Sequence, residues 1–117
     1  MTVYIDDSRV PHGRMRTAHM TADTDVELHA VAARLGLKRR WFQDRDPAHG
    51  HYDICQAKRE AALRLHGAVA VDRRTYAAMI QCRRLDPVAY RRALPDPGEA
   101  RALSVTLRRD RNSRRAA

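Results

Sequence analysis

The chain has 117 residues, enough for one domain and too few for two ordinary ones. Hydrophobic residues make up 44%, which supports a modest core and excludes wholesale disorder. No apolar run reaches the roughly 18 residues of a membrane span, so no membrane partner is expected.

The formal net charge is +9, and it is unevenly spread. Residues 1–82 carry 13 Lys/Arg against 10 Asp/Glu, whereas residues 83–117 carry 10 Arg against 4 Asp/Glu. Pro87, Pro95, Pro97 and Gly98 interrupt regular structure in that second stretch. The expected organisation is therefore a domain over 1–84 and a flexible, Arg-rich tail over 85–117. Short helical turns are expected near Val88–Leu94 and Glu99–Leu107. An Arg-rich arm attracts polyanions through counterion release, and it equally serves as a solubilising tail. Met1 leads straight into Thr2–Ile5 without a basic start and an apolar stretch, so no secretory signal is expected. Cys55 and Cys82 are then reduced cytoplasmic thiols, too few for a disulfide framework or a four-cysteine zinc site.

In chain order, Thr2–Ile5 is β-branched and aromatic and ends at Asp6-Asp7, which predicts a first strand. Arg9–Arg16, with Pro11 and Gly13, reads as a loop, and Thr17–Ala22 as a second strand. Thr24 and Glu27 fit a capping box before a helix with the stripe Leu28, Val31, Ala32 and Leu35, stopped by Gly36. Trp41-Phe42 predicts a buried strand, and Asp53–His66 a second helix with the stripe Ile54, Ala57, Ala61 and Leu65. Ala68–Val71 predicts a last short strand, and Asp72 caps a third helix with Tyr76, Met79 and Ile80. Strands separated by helices require crossovers, so the expected fold is a small α/β domain with a mainly parallel sheet and about three helices.

Open parallel sheets bind ligands beyond the carboxyl ends of their strands. That rule directs attention to Asp6 and Asp7, to His51, and to the start of the second helix. There, free N–H groups favour an anion, and His51, Lys58 and Arg59 would bracket a phosphate. Asp53 reads first as a helix cap, and Lys58 either snorkels or points into a pocket. Paired carboxylates such as Asp6-Asp7 hold Mg²⁺ or act as a general base, though one of them alone can cap the next turn. His19 and Asp23 would complete the site, and a divalent metal held by His19, Asp23, Asp7 and His51 is conceivable. No spacing matches H-E-x-x-H, and the phosphate-loop, dinucleotide-binding and nucleophile-elbow signatures are missing.

Five blocks carry a resemblance: M-T-V-Y-I-D-D at 1–7, A-D-T-x-x-E-L-H at 22–29, W-F-Q at 41–43, H-Y-D-I at 51–54 with K-R at 58–59, and G-A-V at 67–69. Together they resemble the family called domain of unknown function four-zero-three-one, over about residues 1–75. The resemblance implies a short protein of bacteria or their phages and adds no mechanism. Tyr4–Ser8 also resembles the first motif of PIN-type nucleases, where a strand ends in a metal-binding Asp. The later acidic motifs of that fold are not evident here.

The leading expectation is a small protein that binds or hydrolyses a phosphate-bearing ligand, a nucleotide or nucleic acid, with His51, Asp53, Lys58 and Asp7 as catalytic groups. His19, Asp23, Tyr52, Arg59 and Asp6 would bind the ligand. The alternative is a non-catalytic nucleic-acid-binding module that uses its basic tail. A domain this small also buries limited area, so a homodimer is conceivable.

Overall fold

The computed structural model describes residues 2–85 and 96–102. Five strands form one mixed sheet: β1 (Val3–Ile5), β2 (Val10–His12), β3 (Met15–Ala22), β4 (Tyr52–Cys55) and β5 (Val69–Ala70). Three helices flank it: α1 (Asp25–Arg34), α2 (Gln56–Leu65) and α3 (Arg73–Leu85). Residues 97–102 are also helical.

The eight-residue β3 organises the sheet. It pairs antiparallel with β1, β2 and β4, and the one parallel pair among the described residues is β1 with β5. The expectation of a mainly parallel sheet is therefore corrected to a mostly antiparallel one. The reason is local. The segment around Pro11 and Gly13 is a hairpin, with Gly13 at φ 60° in the turn and Pro11 on an exposed strand. Proline is tolerated there because an edge strand needs no donor toward solvent.

Two further expectations change. Trp41 lies in a 3-10 turn over Arg39–Trp41 and is 45% exposed, so Trp41-Phe42 is not a buried strand. The second helix starts at Gln56, and the residues before it form β4. Ala57 and Leu65 are consequently exposed, and Ala62 is the helix's fully buried side chain. The first helix matches its expected stripe and stop, and half of its expected capping box. The Thr24 hydroxyl accepts from Glu27 N, whereas Glu27 Oε2 accepts no hydrogen bond among the described residues; the stripe Leu28, Val31, Ala32 and Leu35 is buried, and Gly36 has φ 76°.

Strand alternation divides the side chains between two faces. Val3, Ile5, Ala18, Met20, Tyr52 and Ile54 point into one core cluster with Leu28, Val31 and Ala62 of α1 and α2. Tyr4 points the other way and packs with Val71, Tyr76, Met79 and Ile80 around α3. Ala100, fully buried, belongs to that second cluster. The remaining tail, including Val88–Leu94 and the Arg pairs at 91–92, 108–109 and 114–115, lies outside the described residues. Among the described residues no helix is long and apolar enough to cross a membrane.

Candidate functional site

The polar face of the sheet is built around one cross-strand row. The register sets His19 of β3 opposite Asp53 of β4. It also sets Ile5 opposite Met20, so Asp6, one residue past β1, comes up against His19. Directly opposed residues of neighbouring strands share a face, and the row is therefore Asp6, His19, Asp53. The chain leaves the ladder at residue 6, and the Asp6 carboxylate substitutes for a strand carbonyl. Asp6 N donates to His19 O at 3.1 Å, and His19 N donates back to Asp6 Oδ1 at 2.9 Å.

Asp6 is almost fully buried and well supplied with donors. Its Oδ2 accepts from His19 Nδ1 at 2.8 Å and from Ser8 Oγ at 2.8 Å, and its Oδ1 also accepts from Ser8 N at 3.2 Å. Burial works against the charged carboxylate, but the hydrogen bonds from His19 and Ser8 outweigh it and hold Asp6 below the usual range. The same hydrogen bond to Asp6 raises His19 above the ordinary imidazole value, against the opposing effect of burial.

His51 precedes β4 and bridges to Gln43, with backbone N–H to O bonds of 3.0 and 2.9 Å in the two directions. Two residues before Asp53 in extended chain, it shares Asp53's face. Its Nδ1 donates to the His49 carbonyl at 2.8 Å. Gln43 Nε2 donates to Asp53 Oδ2 at 2.8 Å, which leaves Oδ1 turned toward the imidazoles. That Oδ1 is 3.5 Å from His51 Nε2 and 3.8 Å from His19 Nε2.

His49 forms the side wall. It stacks on His51 at 3.9 Å with planes 10° apart, and its Nε2 is hydrogen-bonded to the Tyr76 hydroxyl at 2.7 Å. Burial, with His51 and His19 beside it, pushes His49 down to about 4, so it is neutral at physiological pH. Burial also raises Tyr76 well above the ordinary phenol value. Gly50, between the two histidines, is fixed by close approach. A Cβ there would meet Phe42 Cζ at 2.8 Å, and the Gly50 carbonyl accepts from the Thr21 hydroxyl at 2.8 Å. A cavity of about 540 Å³ opens beside the centre, lined by Phe42–Asp46, His49 and His51.

Of the residues singled out from sequence, Asp6, His19, His51 and Asp53 meet here. Arg59 borders them, its Nε donating to the Asp6 carbonyl at 3.0 Å. The others are placed elsewhere. Lys58 Nζ donates to the Leu35 carbonyl at 2.5 Å and so caps the C-terminus of α1. Asp7 accepts from Arg73 N at the start of α3. Asp23 accepts from Thr2 N at 2.8 Å and ties down the first strand. Tyr52 turns into the core on the opposite face, where its hydroxyl is 2.8 Å from His29 Nδ1. The expectation that His51 and Asp53 open a helix is corrected, because both lie on extended chain.

Sequence reasoning missed His49, Gln43, Tyr76 and Ser8. A usable signal existed for His49. The pattern H-x-H-x-D at 49, 51 and 53 gathers three ionisable side chains at alternate positions, of which His51 and Asp53 lie on extended chain and His49 closes the 3-10 turn Pro47–His49 before it.

The fold and its site define a small mixed α/β protein with a His/Asp centre on one face of its sheet. The chain matches the family model described as "Protein of unknown function (DUF4031)" over residues 3–83, and it belongs to that family. Neither the curated proteins nor the solved structures give a match.

Proposed function

We propose that the chain binds, and hydrolyses, a phosphate-bearing ligand seated in the cavity at Phe42–Asp46, with the His/Asp centre as the reactive wall. The observation that supports this reading is convergence. Asp6, His19, His51 and Asp53 come from three separate stretches of chain and meet within hydrogen-bond and ion-pair distances beside an open cavity. Arg45 on the cavity lining provides positive charge for phosphate oxygens. The strongly basic chain as a whole favours a polyanionic ligand.

The test is a panel of phosphomonoesters, phosphodiesters, nucleotides and short oligonucleotides offered to the full chain. Binding or turnover is expected and should fall at least about 100-fold in His51→Ala. A panel without binding or turnover, or one that His51→Ala leaves untouched, overturns the reading. The charge of residues 83–117 supports a second reading, nucleic-acid binding through the tail. That reading requires removal of residues 103–117 to abolish binding and flatten its salt dependence, with His51→Ala having no effect.

A further inference from the structure

We infer that His19, His51 and Asp53 form a binding site for one divalent first-row transition-metal ion, with zinc as the reference ion. The argument begins with the ring nitrogens. His19 Nδ1 faces a carboxylate oxygen and His51 Nδ1 faces a carbonyl oxygen. Both oxygens can only accept, so both Nδ1 atoms carry the hydrogen. In the neutral ring each Nε2 then presents a lone pair. Both lone pairs face Asp53 Oδ1, itself an acceptor, and the three atoms lie within 4.8 Å of one another.

With both rings neutral, three acceptors thus converge with no donor among them. A single proton on one ring relieves one contact, whereas a metal ion relieves all three. The spacing agrees. Two donors each about 2.1 Å from an ion, at the tetrahedral angle, are about 3.4 Å apart. The observed separations from Asp53 Oδ1 are 3.5 and 3.8 Å, so each carboxylate–imidazole pair closes by a few tenths of an ångström, and the imidazole donors lie within 4.8 Å of one another.

The surroundings also match those of metal ligands, whose outer partners fix ring tautomer and carboxylate orientation. Asp6 fixes His19, the His49 carbonyl fixes His51, and Gln43 fixes Asp53. Ser8 in turn holds Asp6. Two imidazoles and one carboxylate select a borderline ion over Mg²⁺ or Ca²⁺, which prefer oxygen-only sets. Three protein donors leave a coordination position open, as at catalytic and not structural sites, and His51 also lines the cavity. A metal there would polarise a phosphate oxygen and acidify a bound water. The binding assignment itself rests on the donor geometry alone and does not require the phosphate reading.

The experiment uses the full chain without a histidine tag, stripped with a chelator and titrated separately with Zn²⁺, Mn²⁺ and Mg²⁺ in the absence of phosphate compounds. Calorimetry and competition with a chromophoric chelator should give one Zn²⁺ per chain with submicromolar affinity, and Mg²⁺ at least about 100-fold weaker. Asp53 is largely exposed at 44%, so Asp53→Ala is expected to fold, as circular dichroism would confirm, and to bind zinc at least about 10-fold more weakly. His51→Ala and Gln43→Ala should also weaken binding. His12→Ala, on the exposed edge strand, should not. The absence of saturable zinc binding, or full affinity in Asp53→Ala and His51→Ala, overturns the site. Zinc binding with neither binding nor turnover of any phosphate compound would instead overturn the proposed function and leave the metal site standing.

Discussion

The two faces of the central sheet use the same strands for opposite ends. On β3, Ala18 and Met20 are buried under α1 and α2, while the alternating Thr17, His19 and Thr21 turn to the other side. The first face is held by area removed from water and tolerates no gaps. The second joins the apolar cluster around α3 to a row of paired donors and acceptors, with an imidazole that is about a third exposed. The core under α1 and α2 and the His/Asp row are therefore separated by a one-residue step along a strand, a separation that strand pleating supplies without further design.

Substitutions can break or sharpen this contrast. The largest stability loss should come from the apolar face. Met20→Ala removes a fully buried side chain and should cost about 2–5 kcal/mol by denaturant unfolding, through lost burial and the cavity left behind. Asp6→Ala tests whether the polar face is stabilising as well. It strands the His19 N–H and deletes a carboxylate that accepts four hydrogen bonds, so about 2–3 kcal/mol should be lost. A cost near zero would show that the polar row contributes nothing to folding.

A smaller, pH-dependent effect is expected at Glu27, on the first turn of α1. Its Oε2 is buried and has no hydrogen-bond partner among the described residues. Burial, reinforced by Asp23, raises its pKa above the ordinary value of 4.5. The folded state therefore holds the proton more tightly than the unfolded chain does. The penalty is absent below the unfolded value and complete once pH rises through the folded one. Glu27→Gln should stabilise the protein by up to about 1 kcal/mol at pH 7, with the advantage vanishing near pH 4. Thermal melts at the two pH values check both the sign and the window. The smallest effect belongs to Arg84→Ala, which breaks the ion pair with Asp46. Both partners are more than a third exposed, so the change should stay within about 1 kcal/mol and shrink further in high salt.

Helical parts were legible in the sequence because periodicity and caps reinforce one another over ten or more residues. The α1 stripe and its Thr24 and Gly36 boundaries are the clearest case. Short strands were less legible. β4 has four residues, and the Asp in its second position imitates a helix cap, so the second helix was begun three residues early. That misreading hid the antiparallel pairing of β3 with β4 and so the sheet's direction. The site was partly legible, since His19, His51, Asp53 and Asp6 stand out by residue type. Lys58 stood out equally, but the orphan carbonyls ending α1 claim it. Which polar side chains meet is decided by register, and register is a long-range property that local pattern does not contain.

The Asp6 carboxylate has one further implication, for how such a protein changes over generations. Groups that serve chemistry are ordinarily a burden on folding, and a lineage that abandons the chemistry gains by discarding them. Asp6 is different, because it orients an imidazole and also completes the strand pairing where β1 ends. A descendant without any reaction to perform would still be selected to keep it. An aspartate at this place in a relative is thus a marker of the fold, whereas the fate of Asp53, half in solvent and outside the core, tells more about whether the proposed site is kept.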